Sequence, residues 1–127
     1  VLSYLKGKKY KTISKEKVIK KYDINDIIIS SEHKFCDEYD SALSKKHPIV
    51  KKYTIKHNSI DYSNGDIVIT DNKPASSIEK YAYTIHSVQG EDYESNLYID
   101  TRRLKSIEIL YTAISRAKTK KQIHFVV

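Results

Sequence analysis

Ile27-Ile28-Ile29-Ser30 constrains this chain more than any other stretch. A short run of β-branched residues with no polar alternation is the pattern of a strand buried on both faces, so both faces need a cover. The next segment, EHKFCDEYDSALSKK, supplies one, because Phe35, Tyr39, Ala42 and Leu43 fall on a single helical face. Pro48 closes the unit.

The rest of the chain repeats the theme in short pieces. Ser14 ahead of KEKVIKKY predicts a capped helix. IVKKYTIKH, the turn signal Ser63-Asn64-Gly65-Asp66 and DIVIT read together as a hairpin, with Asn-Gly supplying the left-handed turn positions. Beyond Pro74, YAYT and NLYID read as strands on either side of the turn that holds Gly90. In the tail Ile107, Leu110, Tyr111 and Ile114 stand at i, i+3, i+4 and i+7, an apolar helical stripe expected to face the core, before a final strand IHFVV. Short apolar strands alternating with amphipathic helices imply an α/β fold with a mostly parallel sheet. Ligands of such sheets bind at the carboxyl ends of the strands, so both motif-rich turns are expected there.

Composition narrows the class. At 127 residues the chain is expected to form one core, and no apolar run approaches the roughly 18 residues that would span a membrane. Its single cysteine, Cys36, cannot form an internal disulfide and has no companion for a cysteine-rich metal site; a buried free thiol and a reducing compartment, cytoplasmic or nuclear, are expected. The net charge of +7 is concentrated at one end: residues 1–21 hold eight lysines against Glu16, while residues 22–127 balance 15 against 15. Residues 1–25 therefore read as a basic linker or a phosphate-contacting arm.

Two segments carry the chemistry. In YTIHSVQGEDY, Thr84, His86 and Ser87 stand where a strand ends and can reach an anion such as phosphate. Gly90 permits close backbone approach or a positive φ, and Asp92 can accept from a sugar hydroxyl. The same residue types also suit a core histidine, a turn glycine and surface acids. In LYTAISRAKTKK, Thr112 and Arg116 lie opposite the apolar stripe. Arg116 is one of three arginines in a chain whose other 20 basic residues are lysine, and a guanidinium offers a planar, permanently charged fork that an ammonium cannot. A helix-end arginine that only complements the helix dipole is the alternative.

The order and spacing of these segments resemble the last two signature motifs of superfamily 1 helicases. Thr84 to Tyr93 is similar to motif V in the form T-x-H-x-x-Q-G used by the RecD and Dda branch, and LYTAISRA, residues 110–117, is similar to motif VI. DIIISSEHKFCDEYDSAL resembles the motif IV strand and helix, and YSNGDIVI the "NGD" turn of a small inserted barrel. The resemblance spans residues 26–127. It implies a RecA-like second motor domain of the P-loop type, with helices on both faces of the sheet and a short hairpin insert over about 51–80. In that frame Arg116 is the arginine finger on the γ-phosphate of ATP. Gly90, Glu91 and Asp92 lie at the nucleotide, and Gln89 lies between nucleotide and strand. Thr84, His86 and Ser87 contact single-stranded DNA, with Ser30, Ser31 and His33 as further strand contacts.

The implied activity is that of an ATP-dependent DNA helicase, the motif V variant being that of the branch moving 5′ to 3′. No G-x-x-x-x-G-K-[ST] occurs, so the phosphate loop and the Mg²⁺ ligands are expected on an N-terminal RecA-like domain of a longer polypeptide, and the fragment alone is expected to be inactive. Cys36-Asp37-Glu38 lacks a preceding apolar strand, and its acids read as helix surface, not a metal site. Two alternatives stand beside the motor: a non-enzymatic nucleic-acid-binding helicase-like module, and a viral-type RNA helicase domain of an infected host cell.

Overall fold

The structure, a computed structural model, describes residues 10–87 and 94–127. Five strands form one parallel sheet: β1 (Lys11–Ile13), β2 (Ile27–Ser30), β6 (Ala82–Thr84), β7 (Leu97–Asp100) and β8 (Ile123–Val126), in the order β1-β8-β7-β2-β6. Every neighbouring pair runs parallel, with Ile28 opposite Tyr98 on one side and Ala82 on the other. Helices α1 (Lys15–Lys21), α2 (His33–Lys46) and α3 (Ile107–Ile114) cover it.

The isoleucine run does what its composition requires. Ile28 packs with Val18, Cys36, Tyr39 and Leu43 of α1 and α2. Ile27 and Ile29 point the other way, to Leu110 and Ala113 of α3 and to Phe125. Both faces of β2 are thus covered, and all four of its residues are buried. This mixed α/β architecture with a mostly parallel sheet is the fold class expected from the sequence.

Three features differ from that expectation. The basic segment is not a free arm from residue 11 onward: β1, unforeseen in the sequence, pairs with β8, while α1, capped by Ser14 as predicted, buries Val18. The insert is more than a hairpin. Strands β3 (Lys51–Ile55) and β4 (Ile67–Thr70) pair antiparallel as the Asn-Gly signal predicts, with Gly65 at φ 95°, but β5 (Ser77–Glu79) joins on the other side of β3 to make a three-stranded sheet. Lastly, only Leu110 of the expected α3 stripe is fully buried; Ile107 and Tyr111 are exposed, and Ala113 takes their place in the core. An eight-residue helix lying on a five-strand sheet buries a narrower stripe than its apolar content offers.

A lysine anchors the insert. Lys52 is 1% exposed, its Nζ donating to Asp26 O at 2.6 Å and to Tyr22 Oη at 3.3 Å. Burial lowers its pKa to about 8. Because the folded-state value lies below that of the unfolded chain, the unfolded chain binds the extra proton between pH 8 and about 10, and Lys52 makes stability rise with pH in that window. The Cys36 thiol and the Tyr22 hydroxyl, both raised by burial, act in the opposite direction from pH 9 to 10 upward. Chemical denaturation of Lys52→Met beside the parent chain should therefore show the parent gaining about 2–3 kcal/mol relative to the variant between pH 8 and 10. A constant difference across that range would mean that the lysine is not titrating there.

Candidate functional site

The sequence-predicted residues divide between the two edges of the parallel sheet. At the carboxyl edge β2 and β6 end side by side, Ser30 opposite Thr84, and Ile85 N–H donates to Ser30 O at 3.1 Å. Thr84 is buried and turns the chain: its Oγ1 donates to Ser87 Oγ at 3.1 Å, and Ser87 Oγ donates back to Thr84 O at 2.9 Å. The turn leaves His86 and Ser87 exposed. Across from them Ser31 is half-buried and His33, the first residue of α2, is exposed. The edge therefore brings His86, Ser87, Ser31 and His33 together around two strand ends. Ser30 does not join them: it is fully buried, donating from Oγ to Glu32 O at 3.0 Å and lying 3.0 Å from Cys36 Sγ.

A charged network that the sequence reading missed holds this edge in shape. Asp100, the last residue of β7 and 1% exposed, accepts from Tyr39 Oη at 2.6 Å and from Arg102 Nε, Nη2 and backbone N–H at 2.7–3.1 Å. Arg102 Nη1 reaches both oxygens of Glu38 at 3.0 Å, and Lys15 pairs with the same carboxylate. The guanidinium also lies 4.1 Å from the centre of the Phe35 ring. Hydrogen bonds from Lys15 and then Arg102 hold the Glu38 carboxyl below its usual range. Asp100 pulls the Arg102 guanidinium further up. So Glu38 is helix surface as expected, but it is not idle. The output of the network is positional: Arg102 O accepts from Ser31 Oγ at 2.7 Å, fixing one turn of the edge against the other. The only local signal was an Asp-x-Arg sequence closing a strand.

Next in the chain, Arg103 adopts φ 54°, uncommon for a residue with a Cβ. That conformation directs an exposed guanidinium to the same edge, with Glu32 3.6 Å from its Nε.

Arg116 lies at the other end of the sheet, not at the carboxyl edge where the sequence reading placed it. Helix α3 starts after β7 ends and stops before the parallel strand β8 begins, so it runs back toward the amino edge. Two contacts fix that return: Lys118 Nζ donates to Glu94 at 2.7 Å, and Gln122 Nε2 donates to Ser95 O at 2.7 Å, just before β7. Arg116 is half-buried, and its Nε, fully enclosed, has no hydrogen-bond partner among the described residues. Such an N–H normally finds an acceptor, since leaving it bare costs about 1–3 kcal/mol. Thr112, on the face expected to be free, is exposed and donates to Glu108 O at 3.1 Å. Gln89, Gly90, Glu91 and Asp92 lie outside the described residues.

Because β6 and β7 are parallel members of one sheet, Thr84 ends one strand at the carboxyl edge and Leu97 begins the next at the amino edge. His86 and Arg116 thus belong to opposite ends of the fold, joined by one covalent segment and one helix.

Among the described residues no group of three or more His, Cys, Asp or Glu side chains is arranged to hold a metal ion, and no helix is long and apolar enough to cross a membrane. Neither a family model nor a curated protein matches the sequence. Among solved structures, the chain is similar to one from a study of DNA unwinding at forked double-stranded DNA by two coordinating Pif1 helicases. The TM-score is 0.49 at 18% sequence identity, over 62% of this chain and 27% of that one.

Proposed function

We propose that the chain is the second motor lobe of an ATP-dependent superfamily 1 DNA helicase, RecA-like in fold, which works with a phosphate-loop lobe elsewhere on the same polypeptide. The observation that carries this reading is the Arg116 Nε, enclosed and without a hydrogen-bond partner among the described residues, just past the helix that bears the motif VI resemblance. A half-buried guanidinium, a planar fork of permanent positive charge, suits an anion presented by a neighbour.

Two roles follow from the two edges. At the carboxyl edge His86 and His33 present side-chain donors to the phosphates of a single strand, while Ser31 and Ser87, whose hydroxyls donate to Arg102 O and Thr84 O, act with the Asp100–Arg102 network to keep the turns in register. At the amino edge Arg116 places a permanent positive charge where the transferring phosphoryl group of a nucleotide held by the other lobe accumulates charge. ATP, with Mg²⁺ held by the phosphate-loop lobe, supplies the phosphoryl transfer. A shift of one lobe against the other on nucleotide release then carries the strand contacts of the carboxyl edge with it.

The 127 residues alone are then expected to bind single-stranded DNA weakly and with strong salt dependence, and to hydrolyse no ATP, since half of each site is missing. Filter binding and a phosphate-release assay on the purified chain check both, and robust turnover would contradict the reading. Within the same assay His86→Ala should weaken binding more than removal of residues 1–9. The reverse order would favour a non-enzymatic module that grips nucleic acid through its basic end.

A further inference from the structure

The basic end of the chain, once folded, builds a feature that the motor reading does not use. On the sheet face covered by α1, a cleft of about 820 Å³ opens between that helix and the β1 side of the sheet, lined by Lys11 of β1, Lys17 and Lys21 of α1, Asn96, Tyr98 of β7 and His124 of β8. We propose that this cleft is a second phosphate-binding site, which holds the sugar-phosphate backbone of single-stranded nucleic acid.

The composition of the cleft points to an anion. Its three lysines are exposed, and no acidic side chain lines it among the described residues. Lys17 and Lys21 form no ion pair among the described residues, whereas Lys15, on the same helix, is committed to Glu38. Lys11 donates to the backbone carbonyl of Lys121 at 3.1 Å, a contact that leaves its charge uncompensated. The spacing points to a polymer. Lys17 and Lys21 stand one helical turn apart, about 6 Å along the axis, and Lys11 faces them from the strand. Three separated ammonium groups track a chain of phosphates better than they enclose one. Between them the His124 ring, half-buried and tilted against Tyr98 with ring centres 5.1 Å apart, offers an aromatic surface.

The site is on a face of the sheet, not at the carboxyl edge, so it is distinct from the turns of Thr84 and Ser31 and does not depend on ATP chemistry. It would lengthen the path of a bound strand beyond the catalytic cleft.

The experiment compares three versions of the 127-residue chain: the parent, Lys17→Gln/Lys21→Gln, and a control of equal charge change on the insert, Lys56→Gln/Lys73→Gln. Fluorescence anisotropy with a labelled oligothymidylate is recorded over a salt series. Loss of two phosphate contacts should lower the slope of log K against log salt by about 1.4 and weaken binding roughly tenfold to thirtyfold in 0.1 M salt, while the control stays near the parent. Equal losses in both variants would reduce the effect to net charge and overturn the proposal, as would displacement of the oligonucleotide by inorganic tripolyphosphate at equal phosphate concentration, the mark of a small-anion site. A readout free of binding constants is the His124 titration followed by NMR. Burial, Lys11 and Lys21 hold its midpoint below the usual histidine value, and Asp26 pulls it up. Added oligothymidylate should raise that midpoint in the parent but not in Lys17→Gln/Lys21→Gln; an unmoved midpoint in the parent would also overturn the proposal. Motor failure is recognised separately, by turnover that persists without Arg116.

Discussion

Arg116→Ala, in the polypeptide that carries both lobes, is expected to reduce ATP turnover by about 10³- to 10⁵-fold, a loss of about 4–7 kcal/mol of transition-state stabilisation. A second result separates this from simple unfolding. The Nε of Arg116 is enclosed without an acceptor among the described residues, so removing the side chain takes away no internal hydrogen bond from that atom. Thermal unfolding should therefore move little. Strand affinity should also change little, since Arg116 stands at the amino edge and His86 at the carboxyl edge. Arg116→Lys should recover only part of the rate, because an ammonium keeps the charge but not the planar fork. Turnover unchanged in the alanine variant, measured by steady-state phosphate release, would remove the motor assignment and leave a helix-end arginine.

The second large effect concerns the fold. Asp100→Ala should cost about 3 kcal/mol in urea denaturation. Asp100 is almost wholly buried and serves Tyr39 Oη together with three donors of Arg102. Its loss strands the tyrosine hydroxyl in the core at about 1–3 kcal/mol. The arginine keeps Glu38 and is 37% exposed, so its share falls well short of that for a fully buried pair. Because Arg102 O anchors Ser31, the variant should also weaken single-strand binding under conditions where it remains folded. Full stability in the variant would show that the network is ornamental to the edge.

What could be read beforehand follows from how local each signal is. The isoleucine run and the helix after it were legible because burial on two faces and a 3.6-residue stripe are written in consecutive residues; Phe35, Tyr39 and Leu43 of the stripe are buried and Ala42 half-buried. The strand β1 was not. Lys11-Thr12-Ile13 is two-thirds exposed, and only its pairing with β8, more than a hundred residues away, makes it a strand. Strand β5 is hidden for the same reason, its middle residue Ile78 facing outward at 43% exposure. The stripe on α3 misled because apolar spacing states which residues share a face, not how wide a sheet lies beneath them.

The site divides in the same way. His86, Ser87 and His33 are exposed at a strand end, where residue type and local order placed them. The separation of Arg116 from that edge is a property of chain direction: a helix between two parallel strands must end where the next strand starts. Asp100 and Arg102 escaped notice because their partners, Tyr39 and Glu38, come from a different βα unit, some sixty residues earlier. Lys52 was read only as part of a hairpin strand, and the packing of the insert against Tyr22 and Asp26 buries it.

The bond between β1 and β8 also sets a clock on biosynthesis. Among the described strands β1 has one neighbour, and that neighbour, β8, is the farthest from it in chain order. At the usual 5–20 residues per second, the roughly 110 residues between them take about 6–22 s to translate. During that interval Lys11–Ile13 has no ladder to join, and a strand this short and polar is a poor template for premature association of nascent chains.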